Sequence, residues 1–410
     1  MSDRPAGRIK THVDDFVVEE IPAYAPSGRG EHVFLRLTKT NRTTLDAIEV
    51  VARALGCDPR AAGFAGMKDK RAVCTQTVSL QTPRGVSPEG LAEHARTIAL
   101  EGVRVHEATL HPHKLKPGHL AGNRFAIAVR GVAPERMDDV DASLARVSTD
   151  GVPNAFGPQR YGKGGDNATN ALAWLRGEQR PPRDSRVRRL QWSALQSAIF
   201  DAVLKARIAD GTWATPTAGD LLKLRSSGGL FLCADVAADR ERALRGELSP
   251  TGPILGARMR RPEGNVADLE SRIASATLGS GFDLASTRPL GEGSRRALRI
   301  WIESLHYELA RGAEGDGGNA EPCIWVRFVL PKGAYATTVL AEAFDIHEAP
   351  REAGDADENP DTAHVGEKRT EHESSEDELA AGARSSIHDP VATPLQYATD
   401  DADGQPEDPE

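Results

Sequence analysis

The sequence predicts an α+β protein in which strand-rich ends form one sheet around a middle segment of different character. Three observations support this class. Strand-like segments lie near both ends, amphipathic helical segments lie between them, and the last sixty residues have the composition of a disordered tail. With 410 residues, the chain is long enough for two domains.

The first predicted strands are followed by a helix. Residues 15–21 (DFVVEEI) and 32–38 (HVFLRLT) are rich in β-branched and aromatic residues, and the second segment alternates clearly. From Thr43 onward, apolar residues recur at helical spacing. Thr43 and Asp46 resemble a capping box, and Gly56 occupies the usual place of a C-terminal glycine. We therefore predict a helix between these two signals.

The later segments complete the sheet and suggest an inserted unit. Residues 125–129 (FAIAV) and 324–330 (IWVRFVL) read as strands, and residues 190–209 have the apolar face of a long amphipathic helix. Residues 226–261 are rich in glycine and arginine, which predicts strands and loops in a separate unit. We expect the middle of the chain to interrupt a sheet that is built from both ends.

Charge divides the chain into a basic body and an acidic tail. The whole chain has a net charge of −9, but residues 351–410 hold 18 acidic and 4 basic residues and so carry −14. Residues 1–350 therefore carry +5, which suits a polyanionic partner. We predict that residues 349–410 form a disordered acidic tail, which either solvates the protein or acts as an electrostatic gate over a basic cleft.

Cysteine usage and hydropathy bear on the location of the protein. The four cysteines show no paired spacing, which supports neither a disulfide framework nor a zinc ribbon. The N-terminus has no apolar stretch of signal-peptide length, and no window approaches 18 apolar residues. We expect a cytoplasmic protein that does not span a membrane.

Common cofactor and metal signatures are missing from the sequence. It contains no phosphate loop, no dinucleotide fingerprint and no nucleophile elbow. Four histidines lie close together among lysines and an arginine, a mixture that favours a basic surface strip over a metal site: His106, His111, His113 and His119. We expect neither a metal nor a nucleotide cofactor.

Two segments are unusually rich in glycine and charge for a protein core. The first, residues 64–76, reads FAGMKDKRAVCTQ and places Asp69 between Lys68 and Lys70. Because nearby positive charge favours the carboxylate, Asp69 is either a nucleophile or base, or a solvated turn residue. The second, residues 151–162, reads GVPNAFGPQRYG and is either a functional segment or an interdomain loop.

These segments resemble the hallmark motifs of the TruD family of RNA pseudouridine synthases, G-x-K-D-x-x-A-V-T-x-Q and N-Y-F-G-x-Q-R-[FY]-G. Further segments continue the resemblance in the same order: Lys10 with residues 15–19, then 122–125, 197–200, 250–256 and 328–337. Three positions depart from the family pattern. Ala155 replaces a tyrosine, Ala341 stands where an arginine is common, and the inserted Cys74 shifts Thr75 by one place.

The resemblance implies a fold and an arrangement of domains. It implies a pseudouridine-synthase-like α+β catalytic domain with a mixed, largely antiparallel sheet, formed by residues 1–154 and 310–348. An inserted α/β domain at residues 155–309 would interrupt it, followed by the tail at 349–410. A cleft between the two domains would receive structured RNA.

The resemblance also implies roles for individual residues. Asp69 matches the family's catalytic aspartate, Phe16, Asn123 and Tyr335 fall where the family contacts the target uridine, and Lys10 lines the same cleft. From pattern alone, Phe16 reads as a core aromatic and Asn123 as a turn residue. Four basic residues are predicted to contact RNA: Lys68, Lys114, Lys116 and Arg160.

The function that the resemblance implies is the isomerisation of a uridine to pseudouridine, in tRNA at a uridine-13 type site. A monomer would do this with one catalytic aspartate and without a cofactor. The alternative is a catalytically silent protein that binds or folds RNA with the same basic cleft. A glycosidase-type hydrolase is a third reading, but the sequence shows no evident second catalytic carboxylate for it.

Overall fold

The computed structural model describes residues 4–310 and 322–349, which form sixteen strands and eight α-helices. The strands are β1 Ala6–Ile9, β2 Phe16–Pro22, β3 His32–Thr40, β4 Gly63–Phe64, β5 Val73–Gln81, β6 Val103–His111, β7 Leu120–Arg130, β8 Val152–Pro153, β9 Leu221–Leu224, β10 Leu230–Leu232, β11 Leu248–Ile254, β12 Ser294–Ala297, β13 Arg299–Ile300, β14 Glu303–Ala310, β15 Cys323–Pro331 and β16 Asp345–Glu348. The helices are α1 Thr44–Ala54, α2 Pro88–Thr97, α3 Met137–Asp150, α4 Asp166–Leu175, α5 Ser185–Ala209, α6 Val236–Leu244, α7 Gly264–Leu278 and α8 Ala336–Leu340.

Ten strands from both ends of the chain form the main sheet. Seven of them follow the order β14-β15-β7-β2-β5-β3-β6, and β1, β4 and β16 extend it at the margins. Among the described strands, β2 with β5 and β1 with β16 are parallel, and the other pairs are antiparallel. The late strand β15 pairs with the early strand β7, which places Phe328 opposite Phe125. The predicted α+β class and mixed sheet are therefore confirmed.

The middle of the chain has sheets of its own. Strands β10, β9, β11 and β12 form a four-stranded sheet, and β8 pairs with β13. Buried side chains of the long helix α5 pack on α4 and α7, among them Trp192 and Leu195. The boundaries of an inserted domain at residues 155–309 stay a prediction, and the predicted tail lies outside the described residues apart from Ala349.

Local signals account for α1. The hydroxyl of Thr43 accepts the N–H of Asp46, and Gly56 follows the helix with a φ of 68°. A left-handed φ is costly for residues with a Cβ, so glycine suits this C-terminal position. The predicted helix and both of its end signals are confirmed.

One helix contradicts a prediction made from the sequence. Strands and loops were predicted for residues 226–261, but α6 occupies nine of them. The carboxylate of Asp235 accepts the N–H groups of Ala237 and Ala238, which caps the helix. Few side chains of α6 are buried, and charged residues occupy much of the helix, so its sequence shows no clear helical repeat of apolar residues.

The histidine segment forms β6 and the loop that follows it. His106 hydrogen bonds to Thr38 on β3, whereas His111 packs on Phe34, four residues away on the same strand. That spacing separates the two contacts by about 13 Å. Within the described ranges, no group of three or more His, Cys, Asp or Glu side chains is arranged to hold a metal ion. None of the helices in those ranges has the length and apolar character of a membrane span.

Candidate active site

One face of the main sheet carries two apolar clusters. The first packs α3 and α8 on β2, β7 and β15, and the second packs α1 and α2 on β3, β5 and β6. Where the clusters meet, the same region holds polar side chains that are buried or half-buried: Glu20, Lys39, Thr44, Lys68, Gln76 and Asn123. Because burying polar groups is costly, such an interruption of an apolar core indicates a candidate functional site.

Asp69 lies beside this polar group, in the loop between β4 and β5. The N–H of Lys68 donates to the Thr44 hydroxyl over 3.0 Å, and the Lys68 ammonium forms an ion pair with Glu20 at 2.8 Å. The side chains of this pair are 6% and 1% exposed. A charge this deeply buried is tolerated when it is paired, so the pair holds the loop against β2. The Asp69 side chain itself is 55% exposed and accessible to a substrate.

Lys39 supports the same loop from the interior of the protein. It is fully buried, and its ammonium donates to the main-chain carbonyl of Asp69. The Cys74 thiol donates to that carbonyl over 3.7 Å, and Cys74 stands directly opposite Lys39 on the neighbouring strand. Burial lowers the pKa of Lys39 and raises the pKa of Cys74. Two buried donors therefore fix the main chain of Asp69 while its carboxylate faces outward.

Sequence reasoning missed Lys39, although a signal was present. In β3, Val33, Leu35 and Leu37 occupy every second position and are completely buried, and Lys39 continues that phase. A lysine in that phase requires a partner inside the protein. The inserted Cys74 takes the inward position, and Thr75 instead hydrogen bonds to Thr38 at 2.7 Å.

Lys10 joins Asp69 to Phe16. Its ammonium is 3.6 Å from Asp69 Oδ1, 3.0 Å from Glu348 Oε1 and 4.7 Å from the centre of the Phe16 ring. Lys10 has a φ of 56°, a left-handed conformation that few residues other than glycine adopt. Such strain persists only where the surroundings impose it, which is common at functional sites. The structure therefore brings together three of the residues to which the family resemblance gives a role.

Phe16 and Asn123 lie on the same sheet but in different settings. Phe16 is 3% exposed and meets Phe125 edge to face, as a core aromatic does. Asn123 is half-buried and stands directly opposite Glu20. Among the described residues, its buried Oδ1 has no hydrogen-bond partner, and neither has the Nε2 of Gln76. Unsatisfied buried polar atoms are rare, so these two amides have hydrogen-bonding capacity for a ligand.

Tyr335 belongs to a second polar cluster, centred on Arg296. The Arg296 guanidinium donates to the carbonyl of Gly333, over 3.1 Å, and to the side chain of Asn154. It also lies 4.1 Å from the centre of the Phe156 ring. Burial lowers the pKa of Arg296 to about 10, an effect that the nearby Tyr335 hydroxyl opposes. Arg296 therefore links the second glycine-rich segment to the loop that carries Tyr335, a connection that no pattern in the sequence had indicated.

Asp201 on α5 fixes the rest of the second segment. It accepts the N–H of Phe156 over 3.1 Å and the hydroxyl of Tyr161. Burial raises the pKa of Asp201, and burial together with the hydrogen bond to Asp201 raises the pKa of Tyr161. Residues 154–161 are thus held against both α5 and β12.

A cavity of 820 Å³ lies next to this cluster and takes its walls from both large sheets. Seven of its lining residues are basic: Arg160, Lys223, Arg225, Arg295, Arg296, Arg299 and Lys332. Arg225 pairs with Glu303, and Arg295 pairs with Glu270. The other five form no ion pair with any residue that the structure describes. The cavity is therefore strongly electropositive.

Asp69 is not among the residues that line the cavity. The cavity does reach Ile21, which directly follows Glu20 in the chain, and Gly122, which directly precedes Asn123. We place the chemistry at Asp69, because its carboxylate is exposed on a fixed loop, and regard the cavity as a binding surface that adjoins the polar group.

The predicted RNA-binding residues occupy different environments. Lys114 and Lys116 are exposed in the loop after β6, and Arg160 lines the cavity. Lys68 is enclosed and paired with Glu20, so its ammonium does not face outward. The structure thus gives Lys68 a supporting place beneath the Asp69 loop.

Comparison with known proteins finds relatives whose sequences match nearly the whole described part of this chain. The family model for tRNA pseudouridine synthase D (TruD) matches residues 2–173 and 183–343. The chain is 43% identical over 358 residues to tRNA pseudouridine synthase D of Anaeromyxobacter sp. (strain Fw109-5), which covers 86% of this chain and 96% of that protein. It is 38% identical over 341 residues to tRNA pseudouridine synthase D of Chromohalobacter salexigens, covering 82% and 92% of the two chains.

A solved structure shares the fold. The crystal structure of the putative tRNA pseudouridine synthase D from Methanosarcina mazei matches with a TM-score of 0.68 and 21% identity, over 84% of this chain and 94% of that chain. The family match includes Asp69 and both glycine-rich segments. The sequence matches and the shared fold together show that this chain belongs to the tRNA pseudouridine synthase D (TruD) family, a family of isomerases.

Proposed function

We propose that this protein converts a uridine in tRNA to pseudouridine, with Asp69 as the single catalytic carboxylate. Family membership supports the reaction class. The observation that carries the residue assignment is the Asp69 loop: its main chain is fixed by buried donors while its carboxylate is exposed beside Lys10. Fixed placement of a reacting group supplies a large part of an enzymatic rate enhancement.

The reaction breaks one bond to the sugar and forms another. The bond from ribose C1′ to N1 is broken, the uracil rotates, and C5 is joined to C1′. The hydrogen on C5 is released as a proton, and N1 gains a proton. The reaction is a net isomerisation, so it needs neither an oxidant nor a cofactor, and we expect none.

Asp69 can begin this reaction in two ways. Its carboxylate can attack C1′ as a nucleophile, or it can remove the 2′ hydrogen as a base. Lys10 is 3.6 Å from Asp69 Oδ1 and forms an ion pair with the carboxylate that both routes use. The buried Lys39 and Cys74 both donate to the main-chain carbonyl of Asp69 and so fix the main chain that carries the carboxylate.

The target base needs a pocket outside its stack. A flipped base is typically held by aromatic or apolar stacking and by hydrogen bonds to its pairing edge. We assign the hydrogen bonds to Asn123, whose buried Oδ1 has no partner among the described residues, and stacking contacts to Phe16 and Tyr335. Because Phe16 is 3% exposed, its contact with uracil requires a small opening of the apolar core.

The electropositive cavity is suited to the RNA backbone. Phosphates contribute most of the affinity of proteins for nucleic acids, through lysine and arginine. We propose that Arg160 and the other cavity cations without carboxylate partners contact the phosphates of tRNA, with the target at a uridine-13 type site. We further propose that the protein acts as a monomer in the cytoplasm.

The Asp69→Asn variant tests the assignment. Pseudouridine would be mapped chemically in unmodified tRNA transcripts after incubation with purified wild-type protein, Asp69→Asn or the exposed control Asp138→Asn. We expect Asp69→Asn to lose at least about 10²- to 10⁴-fold in rate and to retain tRNA binding, because only the reacting group changes. The control should modify tRNA as the wild type does.

Three other outcomes would contradict the proposal. Equal modification by Asp69→Asn would remove Asp69 from the mechanism. A wild-type protein that binds tRNA and leaves it unmodified would favour the silent RNA-binding alternative. Release of free uracil with an abasic product would indicate a hydrolase.

A further inference from the structure

A cluster of three aromatic rings lies at one end of the main sheet, apart from the cavity. His111, at the end of β6, contacts both Phe34 and Tyr24, with ring centres at 4.7 Å and 5.4 Å. The planes of His111 and Tyr24 differ by 30°, which is a stacked arrangement, whereas the Phe34 ring is tilted by 47° to His111. Phe34 is buried, and Tyr24 is 37% exposed.

Hydrogen bonds hold this aromatic cluster in place before any ligand binds. The Tyr24 hydroxyl is 2.9 Å from Nδ1 of His119, and the N–H of Ser27 donates to Nδ1 of His111 over 3.3 Å. Burial, and the nearby charge of His113, lower the pKa of His111 and favour its neutral ring. A ring that is already fixed loses little conformational entropy when a partner stacks on it. We call Tyr24, Phe34, His111 and His119 the Tyr24 platform.

The surroundings of the Tyr24 platform are basic. Lys114 and Lys116 are exposed in the loop between His111 and His119, and His113 is exposed beside them. Neither lysine pairs with a carboxylate in the part of the chain that the structure describes. An aromatic surface flanked by free cations has the character of surfaces that bind unpaired nucleotides.

The loop beside the Tyr24 platform packs against the Asp69 loop. The N–H of Gly118 donates to the carbonyl of Ala65 over 2.8 Å, four residues before Asp69. A Cβ on Gly63 would lie 2.2 Å from the Leu115 carbonyl oxygen, so the two segments approach too closely for any larger residue there. The Tyr24 platform is nevertheless separate from the reacting group, because Phe34 lies five residues along β3 from Lys39, whose ammonium holds the Asp69 loop. That spacing is about 16 Å, which one RNA substrate can span with several nucleotides.

We propose that the Tyr24 platform, with Lys114 and Lys116, binds an unpaired nucleotide of the substrate RNA at a distance of several nucleotides from the one that is modified. The base stacks on Tyr24, and the two lysines contact adjacent phosphates. This inference rests on the proposed function, because it assigns a second contact to the same RNA substrate. Stacking tolerates any base, so the platform selects unpaired RNA by shape instead of reading its sequence.

Matched tyrosine variants test this inference. The dissociation constant of full-length protein for an unmodified tRNA transcript would be measured for Tyr24→Ala, Tyr24→Phe and Tyr307→Ala. Tyr307 is the control, because it is 38% exposed and lies elsewhere, on β14. We expect Tyr24→Ala to weaken binding about 5- to 100-fold, since stacking of one base contributes that much. Tyr24→Phe keeps the ring and should bind nearly as the wild type does, as should Tyr307→Ala.

A second pair of variants guards against misfolding. If Tyr24→Ala loses its cooperative unfolding transition, Lys114→Ala with Lys116→Ala is used instead, since both side chains are exposed. This double variant should lose affinity for tRNA. The slope of log affinity against log salt concentration should fall by about the share of two phosphate contacts.

Unchanged affinity in folded Tyr24→Ala, or in the double lysine variant, would overturn the inference. Equal losses in Tyr24→Ala and Tyr307→Ala would overturn it too, because the effect would not be specific to the platform. Failure of the proposed function appears separately, as a wild-type protein that binds tRNA without forming pseudouridine. The binding measurements decide the inference in that case as well.

Discussion

The lysines near Asp69 and a lysine of the cavity, Lys223, are held in opposite ways. Lys39 and Lys68 are buried, and each has a specific acceptor, the carbonyl of Asp69 or the carboxylate of Glu20. In the cavity, the ammonium group of Lys223 forms neither a hydrogen bond nor an ion pair with the described residues. One group of lysines is part of the protein's internal structure, and the other faces the cavity.

This difference separates positioning from binding. Burial of an ammonium group is costly unless an acceptor compensates it, so a lysine that remains buried gives a defined geometry. A cation at a surface without a partner costs little and attracts polyanions through its field. The same residue type therefore fixes the Asp69 loop in one region and offers charge to RNA in the other.

The largest expected effect comes from breaking the buried pair. Lys68→Met would leave Glu20 buried and unpaired, and should reduce the free energy of unfolding by about 3–5 kcal/mol. Urea denaturation followed by circular dichroism measures this loss. Replacing Glu20 by Leu in the same protein should recover much of it, because no unpaired charge remains. If Lys68→Met alone were as stable as the wild type, the ion pair between Lys68 and Glu20 would not stabilise the fold.

A smaller effect on activity is expected from Lys39→Met. The apolar side chain fills the space but donates nothing to the Asp69 carbonyl, so the loop loses its exact placement. We expect kcat to fall about 10²-fold with little change in KM, because a small displacement of a reacting group has that effect. The exposed Lys205→Met is the control. An unchanged kcat, or a change confined to KM, would contradict a positioning role.

The smallest expected effect is on the salt dependence of tRNA binding, and it should differ between two neighbouring cations of the cavity. Lys223→Ala should reduce the slope of log affinity for tRNA against log salt concentration by about 0.7–0.9, the share of one phosphate. Arg225→Ala should change the slope less, because Glu303 already neutralises much of its charge. Titrations at several salt concentrations measure both slopes. Identical slopes in these variants would show that carboxylate pairing does not determine which cations reach the RNA.

Much of the architecture was predictable because it depends on local patterns. The cap at Thr43, the glycine at 56 and the alternation along β3 each depend on a few neighbouring residues. The buried phase of β3 would even have identified Lys39 as a residue that needs an internal partner. Helix α6 was not predicted, because its many charged residues obscure the helical repeat of apolar residues. The cap at Asp235 was the local signal that could have indicated it.

The assembly of the site was not predictable from physical patterns in the same way. Asp69 is supported by Lys10, Lys39 and Lys68, and Lys68 in turn pairs with Glu20. In sequence, Asp69 simply stood among charged neighbours, which is also typical of a solvated turn. Its candidacy depended on the family resemblance and on the order of the motifs.

The sequence by itself determined the local elements, the α+β class and the family, because these follow from periodicity, capping residues and ordered motifs. Only the tertiary structure decided which lysines are internal supports and which face the cavity. The reason is that the burial of a charge depends on partners far away in the chain, such as Glu20 for Lys68 and Asn154 for Arg296. The members of these pairs are 48 and 142 residues apart in the chain, so they meet only when the chain folds.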